Sequence, residues 1–317
     1  MTMRGLLAVI LLGCSLGGCT LGEKPAPLAA VASSTTEQTR AVAMPFLRRM
    51  FIDHDVRGAY DTYAAADFRQ HNPQMADGLA GHRAYFEGLA RNPSDAPASW
   101  AHVSDLVLVD GDIFAFLHHR FRNEEDKGQV FVDLWRVADG RIVEHWDVIQ
   151  DMPVSLPHGN GMACGIGESW ASARAYPDSV TQTACAPPSR QTTGVNSVAT
   201  YRAYTDMVAK GDVLAAIDRW FHPAYRQHSP VIADGKQGAI DYLKREWGNP
   251  DTPLPELGPM RIVAEGDYVL VHYPYRLKGA PDEVHVDIFR ITEGLVSEHW
   301  DYKQAVPQYT TSGNPVF

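Results

Sequence analysis

Phe68-Arg69-Gln70-His71-Asn72-Pro73-Gln74-Met75-Ala76-Asp77-Gly78 returns without a gap as Tyr225-Arg226-Gln227-His228-Ser229-Pro230-Val231-Ile232-Ala233-Asp234-Gly235, identical at 7 of 11 positions. Further out, Glu144-His145-Trp146-Asp147-Val148-Ile149-Gln150-Asp151-Met152-Pro153 returns as Glu298-His299-Trp300-Asp301-Tyr302-Lys303-Gln304-Ala305-Val306-Pro307. The spacing is about one domain long, well beyond the period of a solenoid. The chain therefore reads as a tandem duplication in which each half can be compared with the other.

Each half opens with helical periodicity and closes with strands. Ser34-Thr35-Thr36-Glu37 has the form of a capping box ahead of Val42, Phe46, Met50 and Phe51, with Gly58 as punctuation. Ser197 likewise leads into Tyr201, Tyr204, Met207 and Val208, which stop at Gly211. A second helical stretch runs over 82–90 and over 237–247, each reaching Asn-Pro, where a helix cannot easily continue. The period then becomes two. Asp110-Gly111-Asp112 and Asp139-Gly140 mark hairpins in the first half; Gly266-Asp267 and Glu293-Gly294 occupy the matching turns in the second. Helices followed by an antiparallel meander give one α+β unit per half. The boundary falls in 154–195, which is rich in Gly, Pro, Ser and Ala.

These residues carry a resemblance. The element order, the Gln-His-Asn-Pro loop and the run Asp133, Arg136, Gly140, Glu144, His145, Trp146, Asp147, Gln150 resemble the SnoaL-like polyketide cyclase branch of the nuclear-transport-factor-2-like superfamily. The second copy reads Asp287, Arg290, Gly294, Glu298, His299, Trp300, Asp301, Gln304. The resemblance implies two tandem cone-shaped domains, 35–153 and 196–309, each with N-terminal helices packed on a curved sheet around an apolar pocket. A tail follows at 310–317. Cyclases, isomerases, epoxide hydrolases and plain ligand binders share this cone, so the fold alone does not fix the function.

Alternation along the last strand puts His145 and Asp147 on one face, with Glu144, Trp146 and Val148 on the other; His299 and Asp301 repeat the pattern. An aspartate facing an apolar pocket would have its pKa raised by desolvation, as a base for carbon acids requires. By resemblance to SnoaL-type cyclases, Asp147 and Asp301 are the base candidates for an aldol, enolisation or isomerisation step, with no metal or cofactor. His71, His145, His228 and His299 are the orienting or electrophilic partners. Ketosteroid isomerase is similar in pairing a carboxylate base with an oxyanion site. Asp133, Asp287, Trp146 and Trp300 complete the ligand-contact candidates, with core packing the simpler use of the two tryptophans. Bracing of sheet against helices and non-catalytic binding of a small apolar molecule are the other uses open to these groups. Arg136 and Arg290 fall on the opposite face and read as surface ion pairs. His118 and His272 end matching strands with a one-residue slip, and one slip reverses the face. No Gly-x-Ser-x-Gly elbow, Walker loop, dinucleotide fingerprint or clustered-histidine metal motif occurs.

The ends bound the compartment. Arg4 followed by an apolar run over 5–16 has the form of an export signal, and Leu16-Gly17-Gly18-Cys19 resembles a bacterial lipobox. That resemblance implies a signal over 1–18, lipidation of Cys19, a tether over 19–34, and a site on the periplasmic side of the envelope. By resemblance to the usual lipoprotein sorting rule, Thr20 rather than Asp after the cysteine favours the outer membrane. Plain secretory cleavage and an uncleaved anchor are the alternatives. A formal net charge of −10 argues against nucleic-acid partners. In an exported chain, Cys164 and Cys185 would pair as a structural staple within the 154–195 linker. A tandem chain can also bury one sheet face against the other as an internal pseudo-dimer, which predicts a monomer in solution.

Overall fold

The computed structural model describes residues 28–90, 100–247 and 256–317. The signal, the lipobox and Cys19 lie outside the described residues. Helix α1, Leu28–Leu47, is followed by a π-helical turn, Arg48–Ile52, and by α2, Val56–Tyr63. Ser34 to Glu37 thus lie inside α1 and do not cap it, and α1 includes the end of the stretch read as a tether. Thr36 and Thr39 instead reach the first hairpin turn: the Gly111 amide donates to Thr36 Oγ1 at 3.0 Å, and Thr39 Oγ1 donates to the Gly111 carbonyl at 2.8 Å. Short side-chain oxygens in a helix often seek nearby backbone groups, and here the partner is a strand turn.

Strand β1, Ala64–Gln70, and helix α3, Gly78–Ala90, lead into the meander β2, Ala101–Asp110; β3, Ile113–Phe121; β4, Gln129–Ala138; and β5, Arg141–Asp151. The sheet order is β1-β5-β4-β3-β2, with β1 parallel to β5 and the other pairs antiparallel. After a short helix α4, Trp170–Arg174, the second half repeats the plan. Helices α5, Gly194–Ala209, and α6, Val213–Trp220, precede β6, Phe221–Gln227, and α7, Gly235–Trp247. The strands β7, Glu256–Leu257; β8, Arg261–Glu265; β9, Tyr268–Arg276; β10, Glu283–Thr292; and β11, Leu295–Ala305 complete it. The order is β6-β11-β10-β9, with β7 and β8 both pairing β9. Helix α5 is capped by Thr193, four residues before Ser197. The β4–β5 and β10–β11 turns hold Asp139, Gly140, Glu293 and Gly294 at positive φ, which accounts for the glycine in both copies.

Helices cover one face of each sheet, burying Phe46, Tyr60, Phe68, Phe114 and Trp135 in the first half and Tyr201, Ile217, Phe221, Tyr225 and Phe289 in the second. The other faces pack on each other. Val132, Trp146 and Val148 share one core with Val286, Ile288, Trp300 and Tyr302. Polar bridges across this contact are reciprocal. Gln304 Oε1 accepts from the Ile149 amide at 2.7 Å, and Gln150 Oε1 accepts from the Lys303 amide at 2.9 Å. Glu265 Oε2 accepts from the Val109 amide at 2.8 Å, and Asp110 Oδ2 from the Ala264 amide at 3.1 Å. The recurring glutamine of the last strand is thus a cross-link between halves.

The exchange continues past each last strand. Asn160 Nδ2 donates to the Gln227 carbonyl and Asn314 Nδ2 to the Gln70 carbonyl, each at 2.9 Å. His228 Nδ1 lies 3.1 Å from the Gly161 carbonyl and His71 Nδ1 2.6 Å from the Pro315 carbonyl. Residues 310–317, read as a tail, therefore form an arm docked on the first half. The linker returns the contact to the second half and carries the Cys164–Cys185 disulfide, whose Cα atoms are 5.2 Å apart. Gly159-Asn160 and Gly313-Asn314 are a further repeat that marks this exchange. No helix among the described residues is long and apolar enough to cross a membrane.

Candidate functional site

Register decides which groups meet. Asp133 on β4 lies directly opposite Asp147 on β5, and Trp135 opposite His145. Parallel pairing places Gln70 of β1 beside His145 on the other side. On β3, Phe116 faces Asp133, so His118, two residues on, shares its face. The result is a buried polar row on the helix-facing side of the first sheet, opening on a cavity of about 730 Å³. Met50, Phe51, Phe86, Leu89, Phe131 and Ile149 give its apolar lining, and Pro307, Tyr309 and Thr311 from the C-terminal stretch also line it.

The hydrogen bonds assign protons. Asp133 Oδ1 lies 2.9 Å from His145 Nε2, and Oδ2 lies 2.7 Å from His118 Nε2. Gln70 Oε1 accepts from the Asn72 amide at 2.9 Å, which fixes the side-chain amide and makes Oε1 the acceptor for His145 Nδ1, also at 2.9 Å. Both His145 nitrogens thus face acceptors. Gln70 Nε2 donates to His82 Nδ1 at 3.1 Å, leaving the His82 hydrogen on Nε2. That Nε2 is buried at the cavity wall with no hydrogen-bond partner, as is Trp100 Nε1. Burial, with the His145 charge adding, holds the His82 imidazole far below its usual range, so it is a neutral donor.

The two carboxylates are driven apart. Burial alone would raise Asp133, but hydrogen bonds from His118 and His145 outweigh it and bring the carboxyl down to about 2. Burial pushes Asp147 up to about 6; the His145 charge opposes the rise, the Asp133 charge adds to it, and the Asn72 hydrogen bond opposes it. Asp147 is 3% exposed. Its Oδ2 accepts from Asn72 Nδ2 at 2.6 Å, whereas Oδ1 is buried without a partner, on a residue that lines the cavity.

Among the earlier candidates, His145, Asp147 and Asp133 meet at the cavity, whereas His71 does not. The chain turns after Gln70, and His71 stacks on Trp146 at 5.0 Å on the opposite face, with Nε2 2.8 Å from Glu144 Oε1. His228 repeats this, stacking on Trp300 at 4.4 Å and lying 3.2 Å from Glu298 Oε2. These loop histidines brace the sheet edge and the arms. Trp146 and Trp300 are buried in the core between the sheets, away from the cavity. Arg136 pairs with Glu144 at 2.8 Å, and Arg290 with Asp267 and Glu298 at 2.8 and 3.0 Å, as expected of that face.

The second-half cluster differs in its partners. Asp287 lies opposite Asp301, and His299 Nε2 is 3.3 Å from Asp287 Oδ1. The Tyr273 hydroxyl donates to Asp287 Oδ2 at 2.6 Å, in the place that His118 holds on Asp133. Register therefore matches His118 with Tyr273, and His272 falls on the other face, buried, with neither ring nitrogen hydrogen-bonded. Tyr225 replaces His82 as partner of the glutamine, and Ser229 replaces Asn72 beside Asp301. Burial raises Asp301 as it does Asp147. Asp133, His145 and Asp147 present ligand-type atoms all within 4.8 Å of one another, a spacing that could hold a cation, although no metal was expected from the sequence. Both Asp133 oxygens already accept imidazole hydrogens.

The SnoaL-like domain model matches residues 46–145 and again 201–299. The chain belongs to this SnoaL-like family. Solved structures similar to one half include TsrD of Streptomyces laurentii (25% identity, 33% of this chain and 89% of that one, TM-score 0.27). A steroid delta-isomerase of Pseudomonas aeruginosa follows at 18% identity, over 36% of this chain and 81% of that one, with TM-score 0.29. An NTF2-like protein of Mesorhizobium loti matches at 21% identity over 36% and 93%, with TM-score 0.30. No curated protein matches. Sequence comparison between the halves set His118 against His272 with a one-residue slip and did not single out His82, Arg120 or His102, whose Nε2 lies 3.1 Å from His118 Nδ1 at the cavity wall, because their counterparts differ. The signal was present as non-recurrence: His82 stands against Ala239 in otherwise parallel stretches.

Proposed function

We propose that the first half of this SnoaL-like protein performs cofactor-free acid/base chemistry, of enolisation, aldol or isomerisation type, on an apolar carbonyl compound. The carrying observation is Asp147 Oδ1, buried and unpartnered at the cavity, on a carboxyl raised to about 6. A base of that strength is available as carboxylate at neutral pH while keeping its proton affinity. In the step proposed, Oδ1 takes a proton from the carbon next to the carbonyl, and charge develops on the carbonyl oxygen. The buried His82 Nε2–H at the wall is the donor proposed to meet it, and a neutral imidazole suits that work. Asp133, held by His118 and His145, keeps its negative charge opposite Asp147 and so sustains the raised pKa. The second half serves as the packing partner.

The test is exchange of α-hydrogen for deuterium in 2-acetylnaphthalene and 2-tetralone, followed by NMR in deuterium oxide. Wild type is expected to accelerate exchange and Asp147→Asn to lose at least ~100-fold, the scale of a positioned base. Equal rates for the two proteins would leave ligand binding without turnover as the function.

We propose also that the chain is exported and lipid-anchored through Cys19 on the periplasmic side of the outer membrane. The lipobox form supports this, and so does the Cys164–Cys185 disulfide, since such bonds persist in oxidising compartments. Cys19→Ala should move the protein from the membrane to the soluble fraction; retention in the membrane would refute lipidation.

A further inference from the structure

Arg120 occupies the cavity wall four residues along β3 from Phe116, which faces Asp133 and so lies in the row that holds Asp147. Its guanidinium sits 3.6 Å over the Trp100 ring and 4.8 Å from the Phe131 ring. Nη2 donates to Gln129 Oε1 at 3.0 Å. Nε and Nη1 are buried and have no hydrogen-bond partner. Among the described residues no carboxylate lies within ion-pair distance of it, whereas Arg136 and Arg290 are each paired. Burial, with Arg122 adding, lowers the guanidinium to about 10, which leaves it charged at neutral pH.

A charge withdrawn from water is normally paired, and aromatic faces offset only part of its desolvation. Stacking also leaves the two N–H edges unsatisfied. Nothing in the packing of the first half requires a cation here: register places Tyr275 at the equivalent point of the second half, on a sheet of the same plan. The unfilled donors line the same cavity as the unfilled acceptor Asp147 Oδ1. Four residues of strand separate their rows, roughly 13 Å along the strands, and two strand spacings of about 4.8 Å separate them across the sheet, before the side chains converge. The two groups therefore suit opposite ends of one elongated molecule.

We infer that Arg120 anchors a carboxylate, and that the compound taken by the first-half cavity is an apolar keto acid, with its anionic end at Arg120 and its carbonyl end at Asp147. The carbonyl end rests on the function proposed above; the carboxylate end rests on Arg120 alone. An acidic ligand entering an acidic protein needs such a local cation, and a charge-assisted hydrogen bond to guanidinium is the strong and selective way to hold it.

The probe is 6-acetyl-2-naphthoate, whose ketone and carboxylate stand at opposite ends of a rigid apolar frame, compared with its methyl ester. Binding is measured by titration calorimetry, and exchange of the acetyl hydrogens by NMR. Wild type is expected to bind the acid roughly 10- to 100-fold tighter than the ester, the range for a charged hydrogen bond. Arg120→Gln should bring the two affinities together, and Arg120→Lys should keep part of the preference by retaining the charge. Asp147→Asn should lose exchange while keeping the acid-over-ester preference. If wild type does not favour the acid, or if Arg120→Gln still does, the carboxylate assignment is overturned, whatever the exchange result. If the preference follows Arg120 but Asp147→Asn exchanges like wild type, the assignment stands and the proposed catalysis fails.

Discussion

Replacing Asp147 with Asn should stabilise the protein at neutral pH, although it removes the residue proposed to do the chemistry. The usual carboxyl value is 3.8, and burial raises Asp147 to about 6. The folded state therefore keeps this proton through a pH range in which the unfolded chain has already released it. Stability falls as pH rises from about 3.8 to about 6 and is flat above, because ionising the folded carboxyl is the unfavourable step. At 1.36 kcal/mol per pH unit, a rise of about two units corresponds to about 3 kcal/mol near pH 8. The amide is nearly the same size, and its oxygen can still accept from Asn72 Nδ2, so little packing is lost. Its NH₂ then takes the site of Oδ1, where no protein acceptor waits, and that reduces the gain toward about 1–2 kcal/mol. Urea denaturation followed by tryptophan fluorescence, at about pH 8 and about pH 3.5, reads this directly. The variant should be the more stable at the higher pH, and the gap should close at the lower, where both states are protonated. A variant less stable than wild type at pH 8, or a gap that ignores pH, would show that Asp147 is held as a satisfied structural carboxylate.

Asp301→Asn should leave α-hydrogen exchange within about twofold of wild type, because the cavity opens on Asp147; a loss comparable with Asp147→Asn would move the chemistry to the second half. Cys185→Ser opens a loop of 21 residues of sequence separation and should lower stability by about 3 kcal/mol in the chain-entropy model, read from the urea midpoint of oxidised protein. Sedimentation equilibrium at micromolar concentration should give a monomer, since each sheet's outer face is already buried by the other half; a stable dimer would contradict this. Asn314→Ala removes the hydrogen bond to the Gln70 carbonyl and should cost about 1 kcal/mol, and Asn160→Ala, its counterpart, about the same.

Most of the scaffold was legible in the chain. Alternation over 130–137 and 142–149, with glycine at positive φ between, specifies a hairpin whichever partner it meets, because pleat and turn are local. The same period put His145 and Asp147 on one face. Direction failed at loop positions: His71 and His228 follow the last residue of a strand, where side-chain alternation no longer applies, and both turned to the outer face. The capping box at Ser34 failed for a related reason. Its residues lie within a longer helix, and Thr36 bonds to a hairpin turn 75 positions away, a contact no local pattern announces.

Recurrence between halves marks the shared architecture and the Asp133, His145 and Asp147 cluster, which returns as Asp287, His299 and Asp301, without separating the two. His71 and His228, Gln150 and Gln304, and Trp146 and Trp300 recur because both halves need the same braces, cross-links and core. The groups that make the first cavity chemically distinct do not recur: His82, His118 and Arg120 face Ala239, Tyr273 and Tyr275. By itself the sequence determined the duplication, the α+β plan of each half and the strand face that carries the acid. Only the tertiary structure decided that the first half holds a cavity beside Asp147, which histidine reaches which carboxylate, and that Arg120, among the described residues, has no carboxylate at ion-pair distance. Those outcomes depend on cross-strand register and on the packing of helices and arm over the sheet, which join residues far apart in the chain.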